Sequence, residues 1–193
     1  MLKQLRPAVI SVLVFAVLTG LLFPALITGI AQAAFRRQAE GSLVRRNGVV
    51  VGSTLIGQDF RGAGYFHPRP SAAGSGYDPM ASSGTNLGPT NPKLIEGVRK
   101  AADAYRKENG LPADTPLPAD AVTSSASGLD PDISPANAAL QVRRVAKARD
   151  MSEAEVRALL ARRTQGRTLG LLGEPRVNVL DINLQLDAGA PRG

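Results

Sequence analysis

Apolar residues dominate one uninterrupted stretch near the N-terminus. Residues 7–35 include no charged residue and are rich in Val, Leu, Ile and Phe. About 20 apolar residues in a helix are enough to cross the hydrocarbon core of a bilayer. The pattern predicts a membrane anchor over 7–35 that follows a short tail over 1–6. Pro24 lies inside this segment and predicts a kink in the helix.

A cleaved signal peptide is the alternative interpretation of this segment, because Ala31-Gln32-Ala33 resembles a cleavage site. The apolar region of a signal peptide is only about 7–15 residues long, so the length favours an uncleaved anchor. Lys3 and Arg6 precede the segment, and Arg36 and Arg37 follow it. The flanking charge is nearly balanced and does not set the orientation.

The remaining residues, 36–193, are predicted to form one domain that begins with strands. Leu43 to Ser53 contains Asn47-Gly48, the dipeptide that suits a two-residue type I′ hairpin turn. Leu55 to Phe60 is predicted to continue that sheet. A stretch dense in Gly, Pro and Ser follows over 61–90 and predicts irregular structure.

Three helices are predicted after this stretch, each from its end signals. The signals are a capping residue at the start, Pro in the first turn or a capping box, and Gly at an end. The predicted helices run from Asn91-Pro92 to Gly110, from Ser134-Pro135 to about Arg149, and from Ser152 to about Arg163.

Near the C-terminus, leucine and isoleucine alternate with polar residues from Leu180 to Leu186. Alternation with a period of two is typical of a half-buried strand. Strands at both ends with helices between them predict an α+β domain behind one N-terminal transmembrane helix.

Composition excludes several classes of chemistry. The chain has 193 residues, no Cys and one His, so disulfides, Cys-ligated metals, thiol nucleophiles and multi-His metal sites are excluded. The net charge is +7, but the cations beyond the anchor alternate with acids and form no basic arm. This distribution argues against nucleic-acid binding.

Candidate chemistry is sparse. No GxxxxGK[ST] phosphate loop occurs, and Gly62-Ala63-Gly64 is interpreted as a turn. Asp130 and Asp132 could bind a metal or act as an acid–base pair. They lie just before the predicted helix start at Ser134, however, and acids there stabilise a helix, which is the favoured interpretation.

Two further segments contain residue types that could carry chemistry. Ser124, Ser125 or Ser127 could be a nucleophile with His67 as base, but the chain has no GxSxG elbow and His67 is interpreted as a turn or surface residue. The loop over 82–89 could hold an anion or a partner's edge, and otherwise is a tight ordered loop. The residues alone therefore reveal no active site.

A series of short motifs nevertheless resembles one family, the C subunit of the Kdp-type potassium-transporting ATPase. The resemblance covers essentially the whole chain and rests on the number and order of the motifs. They are Leu5-Arg6-Pro7-Ala8, Gly52-Ser53, Leu55-Ile56-Gly57-Gln58, Tyr65-Phe66, Arg69-Pro70-Ser71-Ala72, Asn86-Leu87-Gly88-Pro89, Ser127-Gly128-Leu129-Asp130-Pro131, Ile133-Ser134-Pro135, Arg144-Val145-Ala146-Lys147-Ala148-Arg149 and Gly173-Glu174-Pro175-Arg176-Val177-Asn178-Val179. The chain departs from the family at Ser82-Ser83-Gly84-Thr85, which puts only a backbone role of Ser83 in doubt.

The resemblance implies an accessory subunit and not an enzyme. The implied partners are a channel-like potassium-binding subunit, a P-type ATPase subunit and a small membrane subunit. It implies a single-pass protein of the bacterial cytoplasmic (inner) membrane with its domain on the extracytoplasmic side. It also implies a catalytic-chaperone role that raises the affinity of the ATPase subunit for ATP. No cofactor is expected on the chain alone, and ATP would be shared with that subunit.

Assembly and anchoring are favoured over direct nucleotide contact, because the chain has no phosphate-binding motif. A membrane-tethered binding module unrelated to ATP hydrolysis is the alternative. No catalytic or metal-binding residue is predicted. The motifs, together with one small residue in the anchor that would allow close helix approach, give the candidate interaction residues Gln58, Arg69, Ser71, Asn86, Asp130, Ser134 and Gly20.

Overall fold

The computed structural model describes residues 2–189 and comprises two units, one up to Val51 and one from Gly52. Met1 and residues 190–193, which belong to the predicted tail and domain, lie outside the described residues. The two units are described separately below.

The first unit is mainly an exposed apolar helix. Helix α1 (Leu2–Val17) continues through a π-helical turn (Leu18–Leu22) into α2 (Phe23–Ala34). The hydroxyl of Thr19 donates to the carbonyl oxygen of Phe15 at 2.7 Å. The widened turn directly precedes Pro24, which has no N–H to donate to a helical hydrogen bond. By length and composition, the stretch Lys3–Ala34 is apolar enough to cross a membrane.

A short helix and a hairpin follow the apolar helix. Helix α3 (Arg36–Ala39) is followed by β1 (Leu43–Arg46) and β2 (Val49–Ser53), which form a two-stranded sheet. Asn47 and Gly48 both have positive φ, 51° and 79°, as a type I′ turn requires. The predicted hairpin is therefore confirmed.

Four helices organise the second unit. The three predicted helices are confirmed, and their caps form as the sequence indicates. The Asn91 side chain accepts a hydrogen bond from the Lys93 N–H at 2.9 Å, and Gly110 ends the helix at a φ of 63°. The helices are α4 (Pro92–Asn109), α5 (Pro135–Ala148), α6 (Glu153–Arg163) and α7 (Val179–Gly189), with a 3₁₀ turn over Ala119–Ala121.

A small antiparallel sheet lies among these helices. Its strands are β3 (Asp132–Ile133), β4 (Thr164–Gln165) and β5 (Arg176–Asn178), with β5 in the centre. Val177 faces Ile133 on one side and Thr164 on the other. Helices and short strands together confirm the α+β class.

Two sequence-based element predictions are wrong. Leu180 to Leu186 lies in helix α7 and not in a strand. The buried positions Val179, Ile182, Asn183 and Leu186 have helical spacing, and the alternation hid this because Asn183 is polar but buried. Residues 55–60 do not extend the sheet, since they form a turn and irregular chain.

The core of the second unit forms where α5, α6 and α7 pack against β5. Phe66, from the long irregular stretch, is completely buried in it. The other fully buried large apolar side chains are Ile133, Ile182, Leu186, Val142, Val145, Val156 and Val177. The irregular stretch is therefore anchored through the core.

Candidate functional site

Two buried amide side chains hold the irregular stretch at Phe66 and His67. Asn183 accepts a hydrogen bond from the Phe66 N–H at 2.8 Å and donates to the Phe66 carbonyl at 2.9 Å. Gln141 does the same at His67, accepting at 2.7 Å and donating at 3.0 Å. Both amides are at most 1% exposed. Helices α5 and α7 thus supply the partners that a neighbouring strand would supply in a sheet.

Arg144 makes a second set of bonds to the same stretch. Its guanidinium donates to the carbonyl oxygens of Ala63 at 2.7 Å and Tyr65 at 2.9 Å. It also donates to the side-chain oxygens of Asn109 at 3.0 Å and Gln141 at 2.8 Å. Burial lowers the pKa of Arg144, and the charge of Glu108 partly opposes this change. The planar, multi-donor guanidinium suits this position because it reaches several acceptors at once.

Arg149 completes this contact at the end of α5. Its guanidinium carbon lies 4.6 Å from the centre of the Tyr65 ring, and it donates to the carbonyl of Gly64. It also forms an ion pair with Asp187 of α7 at 2.9 Å. The motif from Arg144 to Arg149 therefore contacts the segment around the Tyr65-Phe66 motif.

An open groove of about 470 Å³ collects three of the candidate residues. Arg69 forms an ion pair with Asp130 at 2.8 Å, and the side chains are 23% and 29% exposed. The guanidinium also reaches the carbonyls of Thr123 and Ser124 at 3.4 Å. The charged and hydroxyl groups that line the groove are those of Arg69, Asp120, Asp130, Asp132, Ser134, Glu174 and Arg176.

The half-buried Ser134 side chain makes its hydrogen bonds to neighbouring residues of the chain. Its hydroxyl accepts from the Asn137 N–H at 3.0 Å as the cap of α5, and it donates to Asp120 at 2.9 Å. Asp120 also accepts from the Ser134 N–H at 2.8 Å and from the Asn137 amide at 3.0 Å. This arrangement stabilises the start of α5.

Asp132 is a half-buried carboxylate of the groove with a displaced pKa. Burial raises the pKa, and the Asn178 amide and the Arg176 charge oppose the rise. The carboxylate lies 3.2 Å from Arg176 and 3.2 Å from the Asn178 side chain. The Asn178 amide that donates to Asp132 also donates to the carbonyl of Thr54 at 3.0 Å. Asp132 therefore has a structural role.

The other candidate residues lie outside this groove. Ser71 stabilises a turn, donating to the Gly128 carbonyl at 2.7 Å and accepting from the Tyr77 N–H at 2.8 Å. The half-buried Gln58 side chain occupies the space in which Gly52 would otherwise have a Cβ. Asn86 is exposed with a φ of 51°. Gly20 lies in the π-helical turn of the first unit. Their roles in interaction stay predictions.

The loop over 82–89 is partly tied to a second loop. The Ser83 N–H donates to the Ser127 carbonyl at 3.0 Å, as does the Ser82 hydroxyl. A Cβ on Gly84 would lie 2.8 Å from the Ala126 carbonyl. The two loops therefore approach so closely that only glycine fits at this position.

His67 is not positioned as a base for the serines that were candidate nucleophiles. Nδ1 of His67 lies 2.8 Å from Glu108, and Nε2 lies 2.9 Å from the Gly62 carbonyl. Both ring nitrogens thus face groups other than Ser124, Ser125 and Ser127. Within residues 2–189, no group of three or more His, Asp or Glu side chains could hold a metal ion. The polar side chains of the described domain mainly hold loops in place.

Sequence reasoning missed the most buried polar groups, Asn183, Gln141 and Asn137. Their polarity suggested exposed positions, and the partners of Asn183 and Gln141 are far away in sequence. A signal was present in the motifs, because Gly57 and Leu129, from two separate motifs, join by a hydrogen bond of 2.8 Å. Motifs that contact each other can serve to stabilise the fold as readily as to form a ligand site.

The chain is similar to known proteins of one family. The sequence profile of the family described as the K⁺-transporting ATPase, c chain, matches residues 5–188. The potassium-transporting ATPase KdpC subunit of Mycobacterium tuberculosis strain H37Rv is 57% identical over 187 residues, covering 97% of this chain and 99% of that protein.

The proteins of the same name from two other bacteria are similarly close. That of Koribacter versatilis is 53% identical over 192 residues, with 99% of this chain and 97% of the relative covered. That of Caulobacter sp. strain K31 is 56% identical over 192 residues, with coverage of 99% and 96%. By the full-length profile match and these identities, the chain belongs to the KdpC family of potassium-transporting ATPase subunits.

Proposed function

We propose that this chain is an accessory, non-catalytic subunit of a high-affinity, ATP-driven potassium uptake complex. The observation that carries the proposal is the use of the conspicuous polar side chains to hold loops. Arg69 and Asp130 pair with each other, Ser134 caps a helix, and His67 faces Glu108 and Gly62. In this proposal, catalysis belongs to a P-type ATPase subunit of the complex.

The proposed partners are that ATPase subunit, a channel-like potassium-binding subunit and a small membrane subunit. The exposed apolar helix Lys3–Ala34 supports membrane anchoring, since its large apolar side chains are exposed within the described residues. We place the complex in the bacterial cytoplasmic membrane and the domain on its extracytoplasmic side.

The chain binds no nucleotide alone in this proposal. ATP is contacted within the ATPase subunit, and a rise in its ATP affinity is an indirect effect of assembly. The irregular stretch is fixed by Gln141, Arg144 and Asn183. A surface that is rigid before contact loses less entropy on binding, so these bonds favour association with a partner.

Affinity purification from membranes tests the proposal. The chain, tagged at its C-terminus, is expressed in potassium-starved cells, and the membranes are solubilised in mild detergent. We expect a P-type ATPase and a large potassium-binding subunit to co-purify in fixed ratio. A chain that purifies alone, from membranes in which both partners are detected, would instead favour the tethered binding module.

A further inference from the structure

Three exposed leucines project from the connection between β4 and β5. We call residues 168–172 the leucine turn. Leu169 is 88% exposed, Leu171 80% and Leu172 62%. Clustered apolar side chains that are exposed to this extent mark a contact surface more often than isolated ones do.

The leucine turn is an ordered hairpin. The Thr168 N–H donates to the Leu172 carbonyl at 2.8 Å, and the reverse bond is 2.9 Å long. The Leu171 N–H closes the turn by donating to the Thr168 carbonyl at 3.2 Å. Below it, one nitrogen of Arg167 reaches both carboxylate oxygens of Glu174, at 2.8 and 2.7 Å. The leucines are therefore presented in a defined conformation.

Leu169 occupies a backbone conformation that leucine disfavours. Its φ is 55°, and Gly170 follows at 76°, the signs required at the two central positions of a type I′ turn. Asn or Gly is preferred at the first of these positions, and a branched apolar side chain is strained there. Strain of this kind is retained where the side chain has a use. Its use is not packing within the domain, because the side chain is 88% exposed.

We propose that the leucine turn inserts into an apolar pocket with a polar rim on another subunit of the potassium transport complex. This inference rests on the proposed function. Apolar anchors surrounded by polar groups are the usual arrangement at the centre of a protein interface. Here Arg167 and Glu174 supply the polar surround at the base of the turn.

A protein pocket fits the turn better than a bilayer surface. The charges at its base, Arg167 and Glu174, compensate each other and give no net attraction for anionic lipids. Residues 166–173 contain no Trp or Tyr, the aromatic side chains that are enriched at the membrane interface. A fixed conformation adds affinity for a shaped pocket and adds little in a fluid layer.

Photocrosslinking locates the pocket. A benzophenone-bearing amino acid replaces Leu171 in the full-length chain, which is expressed with its partner subunits in native membranes. The control carries the same probe at Met80, which is 93% exposed. We expect a crosslink to one subunit of the transport complex from position 171 and none to that subunit from position 80. Crosslinks to lipid alone, no crosslink, or equal crosslinking from both positions would overturn the inference.

A pair of substitutions separates contact from folding. Leu169→Asn with Leu171→Asn removes the apolar groups while Asn suits the positive φ at position 169. We expect an unchanged or raised Tm and partner retention in detergent that falls on the order of tenfold. The matched control, Met80→Asn, keeps wild-type retention. Wild-type retention by the double variant would refute the leucine turn as an anchor while leaving the proposed function intact, whereas failure of the unmodified chain to retain any subunit would overturn both.

Discussion

Asn183 pairs with both backbone groups of Phe66, although the two residues lie 117 positions apart. The amide of one helix thereby takes the place of a neighbouring strand for a segment without regular structure. Because Phe66 is also fully buried, this pairing ties the irregular stretch to the core.

Replacing Asn183 by Leu tests this pairing. The substitution keeps the branching of the side chain at Cγ, with a larger volume, but leaves the Phe66 N–H and carbonyl buried without partners. We expect a loss of about 2–5 kcal/mol in the free energy of unfolding, measured by urea denaturation in detergent. Gln185→Leu on the same helix is the control, with a change within about 0.5 kcal/mol. Equal effects of the two variants would show that the pairing contributes nothing specific.

Gly128 allows two loops to approach each other. It has a φ of 68°, and a Cβ there would lie 2.6 Å from both the Ala73 nitrogen and the Ser83 oxygen. We expect Gly128→Ala to lower the free energy of unfolding by about 2–4 kcal/mol, from backbone strain and steric clash together. Gly97→Ala, in helix α4 with open space around it, should raise stability by about 0.5–1 kcal/mol. A neutral Gly128→Ala would contradict the close approach.

Two half-buried phenols give the protein an alkaline limit. Burial is the main cause that raises the pKa of Tyr77 and Tyr105 above the ordinary value of about 10. Above that pH the unfolded chain loses phenolic protons that the native state keeps, so the free energy of unfolding falls as pH rises. Below it, these groups contribute no pH dependence.

Absorbance at 295 nm measures the titration of the two phenols. The difference between the native protein and the Tyr77→Phe, Tyr105→Phe variant isolates their signal. We expect this difference to appear only at a higher pH in native protein than in urea. The same midpoint in both conditions would show that the phenols are accessible to solvent in the native state.

Variants of the Arg69–Asp130 ion pair test whether these two candidate residues stabilise the domain or contact a partner subunit directly. The single variants Arg69→Gln and Asp130→Asn and the double variant complete a double-mutant cycle. We expect a coupling energy of about 1 kcal/mol, because the pair is partly exposed and shares other partners. If the role of the pair is structural, the variants should retain fewer partner subunits only in proportion to their loss of stability. Loss of retention with no coupling in stability would indicate that each side chain contacts a partner directly.

Gly20 is the candidate within the apolar helix. Apart from its two chain neighbours and the adjacent backbone of its own helix, no part of the described chain lies within 4 Å of the position where its Cβ would be. We expect Gly20→Leu to weaken retention of the membrane partners in detergent, because it prevents close helix approach. Leu13→Ile, also in the apolar helix, is the control and should retain the partners fully. Co-purification unchanged by Gly20→Leu would exclude this face as a helix contact.

Local signals predicted the parts of the fold that depend on near neighbours. Asn91, Ser134 and Ser152 cap helices through bonds to N–H groups two or three residues away, so a short window of sequence contains the whole interaction. The Asn47-Gly48 turn is equally local. These elements were therefore predictable in kind and nearly in extent.

The remaining parts of the fold depend on contacts between residues that lie far apart in the sequence. The sequence of helix α7 alone has the alternation of a strand. Its helical spacing becomes visible only once Asn183 is known to be buried against Phe66. Strands β3 and β4 have two residues each, too few for any periodicity. The motif residues Arg69 and Asp130 were found as candidates, but their pairing with each other was visible only in three dimensions.

Potassium-stimulated ATP hydrolysis tests whether the chain is a non-catalytic subunit that acts through assembly. The partner subunits are purified from cells that lack this chain, and the purified chain is then added back in detergent. We expect little activity before addition, potassium-stimulated hydrolysis after it, and none from the chain alone. Full activity without the chain, or hydrolysis of ATP by the chain alone, would contradict a non-catalytic subunit that acts through assembly.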